Sequence, residues 1–369
     1  ALYVGLMSGT SMDSIDAVLL QIEDSRMQVL AAASHGWPLP LQARLRRAAE
    51  DSEQIGLTEY GRLDTAVGLE FAQAAARLLQ QANIPARSVR AIGSHGQTVL
   101  HRPGGEAGFT LQIGDPNVIA ERLGIDVVAD FRRRDLAAGG EGAPLMPAFH
   151  VAAFGATHEA RAVANIGGIA NVTLMSSDGS VIGFDTGPGN CLLDAWARAH
   201  LGRPFDAGGK WAASGAVDAE LLARMLAEPY FARQPPKSTG RETFSDAWLQ
   251  LALAGRKLPP EQVQATLAEL TALTIARAVR DRAGHGLSNL YLCGGGAFNV
   301  DLLQRLARAL PQTRVSTTAD CGIAPEHVEG AGFAWLAHRY LAGGPGNLPS
   351  VTGARHEVPL GALYRGRSM

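Results

Sequence analysis

Cysteine is scarce. The chain has three in 369 residues, Cys191, Cys293 and Cys321, which match no metal-ligand spacing and cannot all pair, so neither a zinc site nor a disulfide framework is expected. Packing cysteines in a reducing cytoplasm account for them. An excess of one charge is also missing, since 33 Lys and Arg stand against 35 Asp and Glu. That balance provides no broad basic field for nucleic acid or an anionic membrane, so neither is an expected partner and small ligands are. Nothing approaches the ~18 consecutive apolar residues of a membrane span, and Ala1 to Met7 lacks the charged start and long apolar core of a secretory leader. A cytoplasmic location is the expectation. Charged residues make up only 18% and hydrophobic ones 46%, enough apolar surface to offset chain entropy and to exclude wholesale disorder. The length favours two domains, each with its own core.

Glycine is what the chain has in quantity: 43 residues, without a short period, clustered in turns. Three apolar runs, Leu2 to Met7, Ile15 to Ile22 and Met27 to Ala33, read as a strand meander. Helices are expected from Leu41 to Glu50 and from Thr58, a candidate N-cap, to Gln81. Short strands at Val89 to Ile92, Phe109 to Ile113 and Ile125 to Ala129, with a helix from Pro116 to Leu123, continue an α/β alternation. Arg132 to Pro147 breaks every periodicity and is the expected domain crossing. Beyond it, Ala160 to Ile166, Asn171 to Met175 and Ser180 to Phe184 form a second meander, followed by a long helix from Pro260, a strand Asn289 to Cys293 and helices at Val300 to Leu310 and Pro325 to Leu341. The expected lobes are 1–131 with 346–369, and 132–345. Two meanders, each with glycine in its first turn and helices after it, outline a duplicated α/β nucleotide-binding fold whose two lobes would clamp ATP. A single Rossmann sheet would need a G-x-G-x-x-G turn opening a helix, and here a strand follows the first glycine turn.

Three glycine turns carry the chemistry. Gly9, Thr10, Ser11, Met12, Asp13, Ser14, Ile15 and Asp16 join two strands with small and hydroxyl residues that leave backbone N–H groups free for a phosphate, although an ordinary hairpin fits the same residues. Asn165, Gly167 and Gly168 hold the corresponding turn of the second meander. Gly294, Gly295 and Gly296, followed by Asn299, end an apolar strand, where the missing Cβ atoms let a flat ring or a phosphate come close. Asp185 ends a strand ahead of a Gly-Pro-Gly turn. It suits a general base facing a cleft, and equally an Asp that holds the turn. The ten histidines show no metal or triad spacing, His95 included.

Seven collinear segments make the chain resemble the anhydro-N-acetylmuramic acid kinase family. They are Gly9 to Asp13, Ser94-His95-Gly96-Gln97-Thr98, Asp130 to Asp135, Asn165 to Gly168, Phe184 to Asn190, Pro236 to Glu242 and Cys293 to Asn299. The resemblance implies an actin/hexokinase-type ATPase fold with two ribonuclease H-like lobes, and a cytoplasmic sugar kinase of peptidoglycan recycling. The implied reaction takes 1,6-anhydro-N-acetylmuramic acid, ATP and water to N-acetylmuramic acid 6-phosphate and ADP, with Mg²⁺ and in a homodimer. It also implies Asp185 as the base that takes a proton from water, the three glycine turns as nucleotide-binding, and Arg134, Glu329, His95 and Gln97 as sugar-binding; metal ligands, and roles for Lys237 and Arg241, stay unassigned. Ser14 departs from the family's usual glycine and would be strained if that position needs a positive φ. A non-catalytic actin-like ATPase would predict an appended partner-binding region, and only about 28 residues follow Leu341. A different sugar or acetate kinase would use Asp185 to deprotonate a hydroxyl.

Overall fold

In the computed structural model of the chain, residues 1–367 are described except 10, 25, 52–53, 106 and 284–285. The chain divides into two compact units, Ala1–Ala153 with His327–Met369, and Phe154–Glu326.

The first unit opens with an antiparallel meander of β1 (Leu2–Ser8), β2 (Ser14–Glu23) and β3 (Arg26–Gly36). Its Val4, Leu6, Ile15, Ala17 and Leu19 side chains enter a core shared with Leu63, Val67, Phe71 and Leu78 of the Leu57–Gln81 helix. Apolar residues at helical spacing built that face, but its N-cap is Gly56 rather than Thr58, with no side-chain capping bond. The chain returns as β4 (Val89–Arg102) parallel to β1, folds back as β5 (Phe109–Ile113), and adds β6 (Val127–Ala129) parallel to β4. β4 runs ten residues beyond the strand expected at Val89 to Ile92. Gly96, at φ +73°, breaks its alternation, which hides the continuation from a pattern reading. A last strand, Ala362–Tyr364, pairs antiparallel with β6.

The expected boundaries at 131/132 and 345/346 differ from the observed ones at 153/154 and 326/327. Helices Phe131–Ala137 and Met146–Phe154 form where periodicity fails, and stay with the first unit because Phe131 packs on Phe333 and Phe149 on Trp335. Helix Val328–Leu341 lies directly on β1 and β4. A Cβ at Gly5 would overlap the Gly330 carbonyl oxygen and one at Gly93 that of Phe333, so glycine is what admits this contact.

The second unit repeats the plan. β7 (Ala160–Ile166), β8 (Ile169–Met175) and β9 (Val181–Pro188) form an antiparallel meander. After intervening helices, β10 (Leu287–Cys293) lies parallel to β7 and β11 (Arg314–Thr317) parallel to β10. Leu267, Leu270 and Ile275 of helix Pro260–Ala283 pack with Val172, Phe184 and Leu290 in its core. Five strands of each sheet share one order, β3-β2-β1-β4-β6 and β9-β8-β7-β10-β11, as two ribonuclease H-like lobes require, and the first sheet adds Ala362–Tyr364 beyond β6 and β5 beside β4. No helix among the described residues is long and apolar enough to cross a membrane.

Candidate active site

In the first unit, the turn from β1 to β2 is held from several sides. The Met12 N–H donates to the Gly9 carbonyl at 3.1 Å, and Gln42 Nε2 donates to the Met12 carbonyl at 2.7 Å. Met12 has φ +55° and buries its side chain, so the turn's left-handed residue is Met12. Ser14 is free of that strain: it begins β2 opposite Gly36, its carbonyl accepts from Ser8 Oγ at 2.8 Å and its hydroxyl donates to Asp16 Oδ1 at 3.2 Å. Asp16 is further fixed by Ser34 Oγ at 2.9 Å, and Ile15 is core. Ser11 and Asp13 are exposed, and among the described residues their backbone N–H groups donate to nothing. Gly9, Ser11 and Asp13 are therefore the part of the turn open to an anion; Thr10 lies outside the described residues.

Gln97 is fully buried on β4 and donates to the Gly9 carbonyl at 3.2 Å, tying this strand to the turn. Its Oε1 has no partner among the described residues. His95 is buried with both ring nitrogens engaged, Nδ1 with the Gly96 carbonyl at 2.9 Å and Nε2 accepting from Arg132 Nε at 3.0 Å. Burial first, and then the Arg132 charge, push His95 well below the ordinary histidine range, so it is neutral. Arg132 in turn feels the carboxylates of Glu329 and Asp135, which raise a pKa that burial lowers. The structure thus gathers His95, Arg132 and Glu329, and leaves Arg134 exposed two residues further along the helix, without a side-chain partner among the described residues. Sequence reasoning missed Arg132. Its place in the Arg132-Arg133-Arg134 run was the available signal, but nothing in the run says which arginine turns inward.

In the second unit, the β7–β8 turn is clamped to the loop after β9. The Gly167 carbonyl accepts from Asn190 N–H at 2.8 Å, and the Gly168 carbonyl from Gly189 and Cys191 N–H groups at 2.9 and 3.0 Å. The turn after β10 stands close to it: a Cβ at Gly294, φ +74°, would overlap Asn165 Oδ1, and one at Gly296 would overlap the Ile166 side chain. Gly295 alone is open, with Asn190 Nδ2 at 3.7 Å from its ideal Cβ position. Asn299 caps the Val300–Ala309 helix by accepting from Leu302 N–H at 3.0 Å. Beside it run Gly208 and Gly209, both at positive φ, and a Cβ at Gly209 would overlap Asn299 Oδ1. This approach was also missed, although the Gly208-Gly209 pair is visible in the sequence.

Asp185 stands on β9, where Ala170 pairs with Gly187 and Asn171 with Asp185, so Thr186 is an extra residue in the ladder. Such bulges re-aim the neighbouring side chain. Segment Lys237 to Thr239 runs alongside: Asp185 N–H donates to the Lys237 carbonyl at 3.3 Å, and Thr239 N–H donates to Asp185 Oδ2 at 3.0 Å. Tyr230 Oη donates to the Asp185 carbonyl at 2.7 Å. Oδ1 accepts no hydrogen bond among the described residues. Burial pushes the carboxyl up to about 6, against the Thr239 bond and the Lys237 charge, which lower it. Arg241, on the same Pro236 to Glu242 segment, reaches the second glycine turn: its Nη2 lies 2.9 Å from where a Cβ of Gly168 would stand. Among the described residues no three His, Cys, Asp or Glu side chains gather as metal ligands.

The sequence profile of the anhydro-N-acetylmuramic acid kinase family matches residues 1–366. The anhydro-N-acetylmuramic acid kinase of Xanthomonas campestris pv. campestris (strain 8004) is 53% identical over 366 residues, covering 98% of this chain and 97% of its own. That of Shewanella sp. (strain MR-4) is 50% identical, covering 99% and 98%. Among solved structures, component A of the Acidaminococcus fermentans (R)-2-hydroxyglutaryl-CoA dehydratase covers 92% of this chain and 99% of its own at 11% identity, with a TM-score of 0.47. The full-length match and the half-identical relatives agree with the two repeated sheets and their glycine turns, and the chain belongs to the anhydro-N-acetylmuramic acid kinase family of sugar kinases.

Proposed function

We propose that this kinase takes 1,6-anhydro-N-acetylmuramic acid, ATP and water to N-acetylmuramic acid 6-phosphate and ADP, in the cytoplasm, as a step of peptidoglycan recycling. The observation that carries the reading is Asp185, a partly buried carboxylate with one oxygen fixed by Thr239, the other free, and a pKa raised to about 6. A base with those properties is ionised at neutral pH and still basic enough to accept a proton in a transition state. Water attacks the anomeric carbon and gives its proton to Asp185 Oδ1. The bond from that carbon to O6 breaks, and O6 takes the γ-phosphoryl group as ADP leaves. Phosphoryl transfer asks mainly for positioning and charge stabilisation.

The nucleotide-binding role falls to Gly9, Ser11 and Asp13 in the first turn, to Asn165, Gly167 and Gly168 with Arg241 above them, and to Gly294, Gly295 and Gly296. Asn299 supports the last group as a helix cap, and Met12, Ser14, Ile15 and Asp16 hold the first turn's shape. Arg134 and Glu329 bind the sugar through its lactyl carboxylate and hydroxyls. His95 and Gln97 have little free hydrogen-bonding capacity apart from Gln97 Oε1, so their part is to fix Arg132 and the Gly9 turn. Asp13 and Asp16 would hold Mg²⁺, which asks a protein for only one or two carboxylates. When bound it neutralises charge on the phosphoryl group. A homodimer is the assembly carried over from the family resemblance.

Turnover in ¹⁸O-water tests the reading. Label is expected at the anomeric oxygen of product trapped early, beyond an exchange control, with none in the transferred phosphate. An unlabelled anomeric oxygen at early times rejects direct water attack and the base role of Asp185.

A further inference from the structure

The Pro236 to Glu242 segment touches Asp185 through Lys237 and Thr239 backbone and the Gly168 turn through Arg241, which leaves the Lys237 side chain unexplained. That side chain enters a cavity of about 430 Å³ in the second unit. Such a volume lies within the range of small-molecule sites, ~300–1,000 Å³. Phe184, next to Asp185 along β9, lines it, and Asp185 does not, as the pleat of a strand requires when neighbouring side chains take opposite faces. The cavity is thus behind the strand, apart from the carboxylate.

Arg233, Lys237, Arg277 and Arg282 line this cavity against a single carboxylate, Asp281. None of the four cations forms an ion pair among the described residues; Lys237 rests on the Tyr230 and Phe231 carbonyls at 3.4 and 3.5 Å, and Arg282 on Gln234. Lys237 is pushed below the ordinary lysine range by burial and then by Arg233 and Arg282, with the Asp185 charge the smaller, opposing effect, as crowded cations require. The floor is different in kind. Phe184, Leu226 and Phe231 offer apolar surface, and the Thr186 and Thr274 hydroxyls beside them are spent on the Ala170 and Thr271 carbonyls.

We propose that this cavity is a second ligand site that binds an organic phosphomonoester, its dianion among Arg233, Lys237, Arg277 and Arg282 and its organic part on Phe184 and Phe231. Guanidinium groups suit a phosphate's geometry, and an apolar floor distinguishes an organic ester from the bare ion. The site does not rest on the catalytic reading: of these side chains only Lys237 bears on it, through its charge on Asp185, and neither Arg233 nor Arg277 has a part in it.

Calorimetric titration of the full chain at fixed ionic strength, with ATP saturating and no sugar, tests it with phenyl phosphate and inorganic phosphate as probes. Phenyl phosphate is expected to bind wild type at least tenfold more tightly than Arg277→Ala, and not measurably to Arg233→Ala/Arg277→Ala, with inorganic phosphate weaker than phenyl phosphate throughout. Both arginines are exposed, so unchanged ATP affinity in the variants reports an intact fold. Equal phenyl phosphate affinity in wild type and the double variant, or no binding to wild type at millimolar concentration, overturns the site. Inorganic phosphate binding as tightly as the ester overturns the organic part of the assignment.

Discussion

In the first unit a buried histidine stands on β4 with both ring nitrogens engaged; in the second, a carboxylate stands on β9 with one oxygen held and one free. Burial drives both toward their neutral forms. For His95 the neighbouring Arg132 adds to burial, whereas for Asp185 the Thr239 N–H and Lys237 oppose it and leave the carboxyl at about 6. A shared strand order therefore carries opposite electrostatics. One group is locked in a single protonation state through the physiological range, and the other changes state at its edge, which is the property the proposed base needs.

The sharpest way to break this comparison is Asp185→Asn. The amide keeps the size and can accept from Thr239, but it cannot take a proton. Turnover is expected to fall ~10²-fold or more, while ATP affinity stays within a few-fold. In the wild-type enzyme kcat should fall as pH drops through about 6, because the base must be ionised to act. His95→Gln should leave that limb where it is. A limb that moves with His95 rather than with Asp185 would assign the proton to the wrong unit.

A smaller effect is expected at the third glycine turn, where the two units differ again: the first has a long turn open at Ser11 and Asp13, the second two turns held against each other. Gly294 and Gly296 have no room for a side chain, but Gly295 has room and an ordinary φ. Gly295→Val should therefore fold and lose nucleotide affinity, by about tenfold, with sugar affinity nearly unchanged. Separate titrations of ATP and the anhydro sugar check this. Equal losses for both would signal a structural collapse, and unchanged ATP affinity would move the nucleotide away from this turn.

The meanders were legible because each strand alternates or runs apolar between turn residues, and Ala160–Ile166 was readable to the residue. Asp185 and the glycine turns stand out as candidates because chemistry needs particular residue types at particular places. What was hidden depends on tertiary contact. Helix Val328–Leu341 reads as part of the second half by chain position, yet packs on Gly5 and Gly93 in the first unit, and a glycine's partner is not encoded next to it. Arg132, Arg133 and Arg134 are identical in kind, so only the packing around His95 separates the inward arginine from the exposed one. The doubt about Ser14 had the same origin. The turn does contain a left-handed residue, but it is Met12, stabilised by its buried side chain and by Gln42.

The smallest expected effect concerns stability. A carboxyl with a folded pKa of about 6, against an ordinary 3.8, binds its proton more tightly in the folded than in the unfolded chain. Its contribution to stability is therefore fully present below the ordinary value and is lost as pH rises through about 6, where a charge must be kept in a buried place. Asp185→Asn removes that charge without removing the acceptor for Thr239. The variant should melt above wild type at pH 8, and the difference should shrink toward zero near pH 4. In chains of 150–250 residues each kcal/mol corresponds to roughly 2–4 °C, so a shift of a few degrees is the expected scale. Thermal melts of both proteins across that pH range decide the matter. A difference that does not vary with pH would mean that Asp185 titrates as an ordinary carboxylate, and the contrast with His95 would then rest on hydrogen bonding alone.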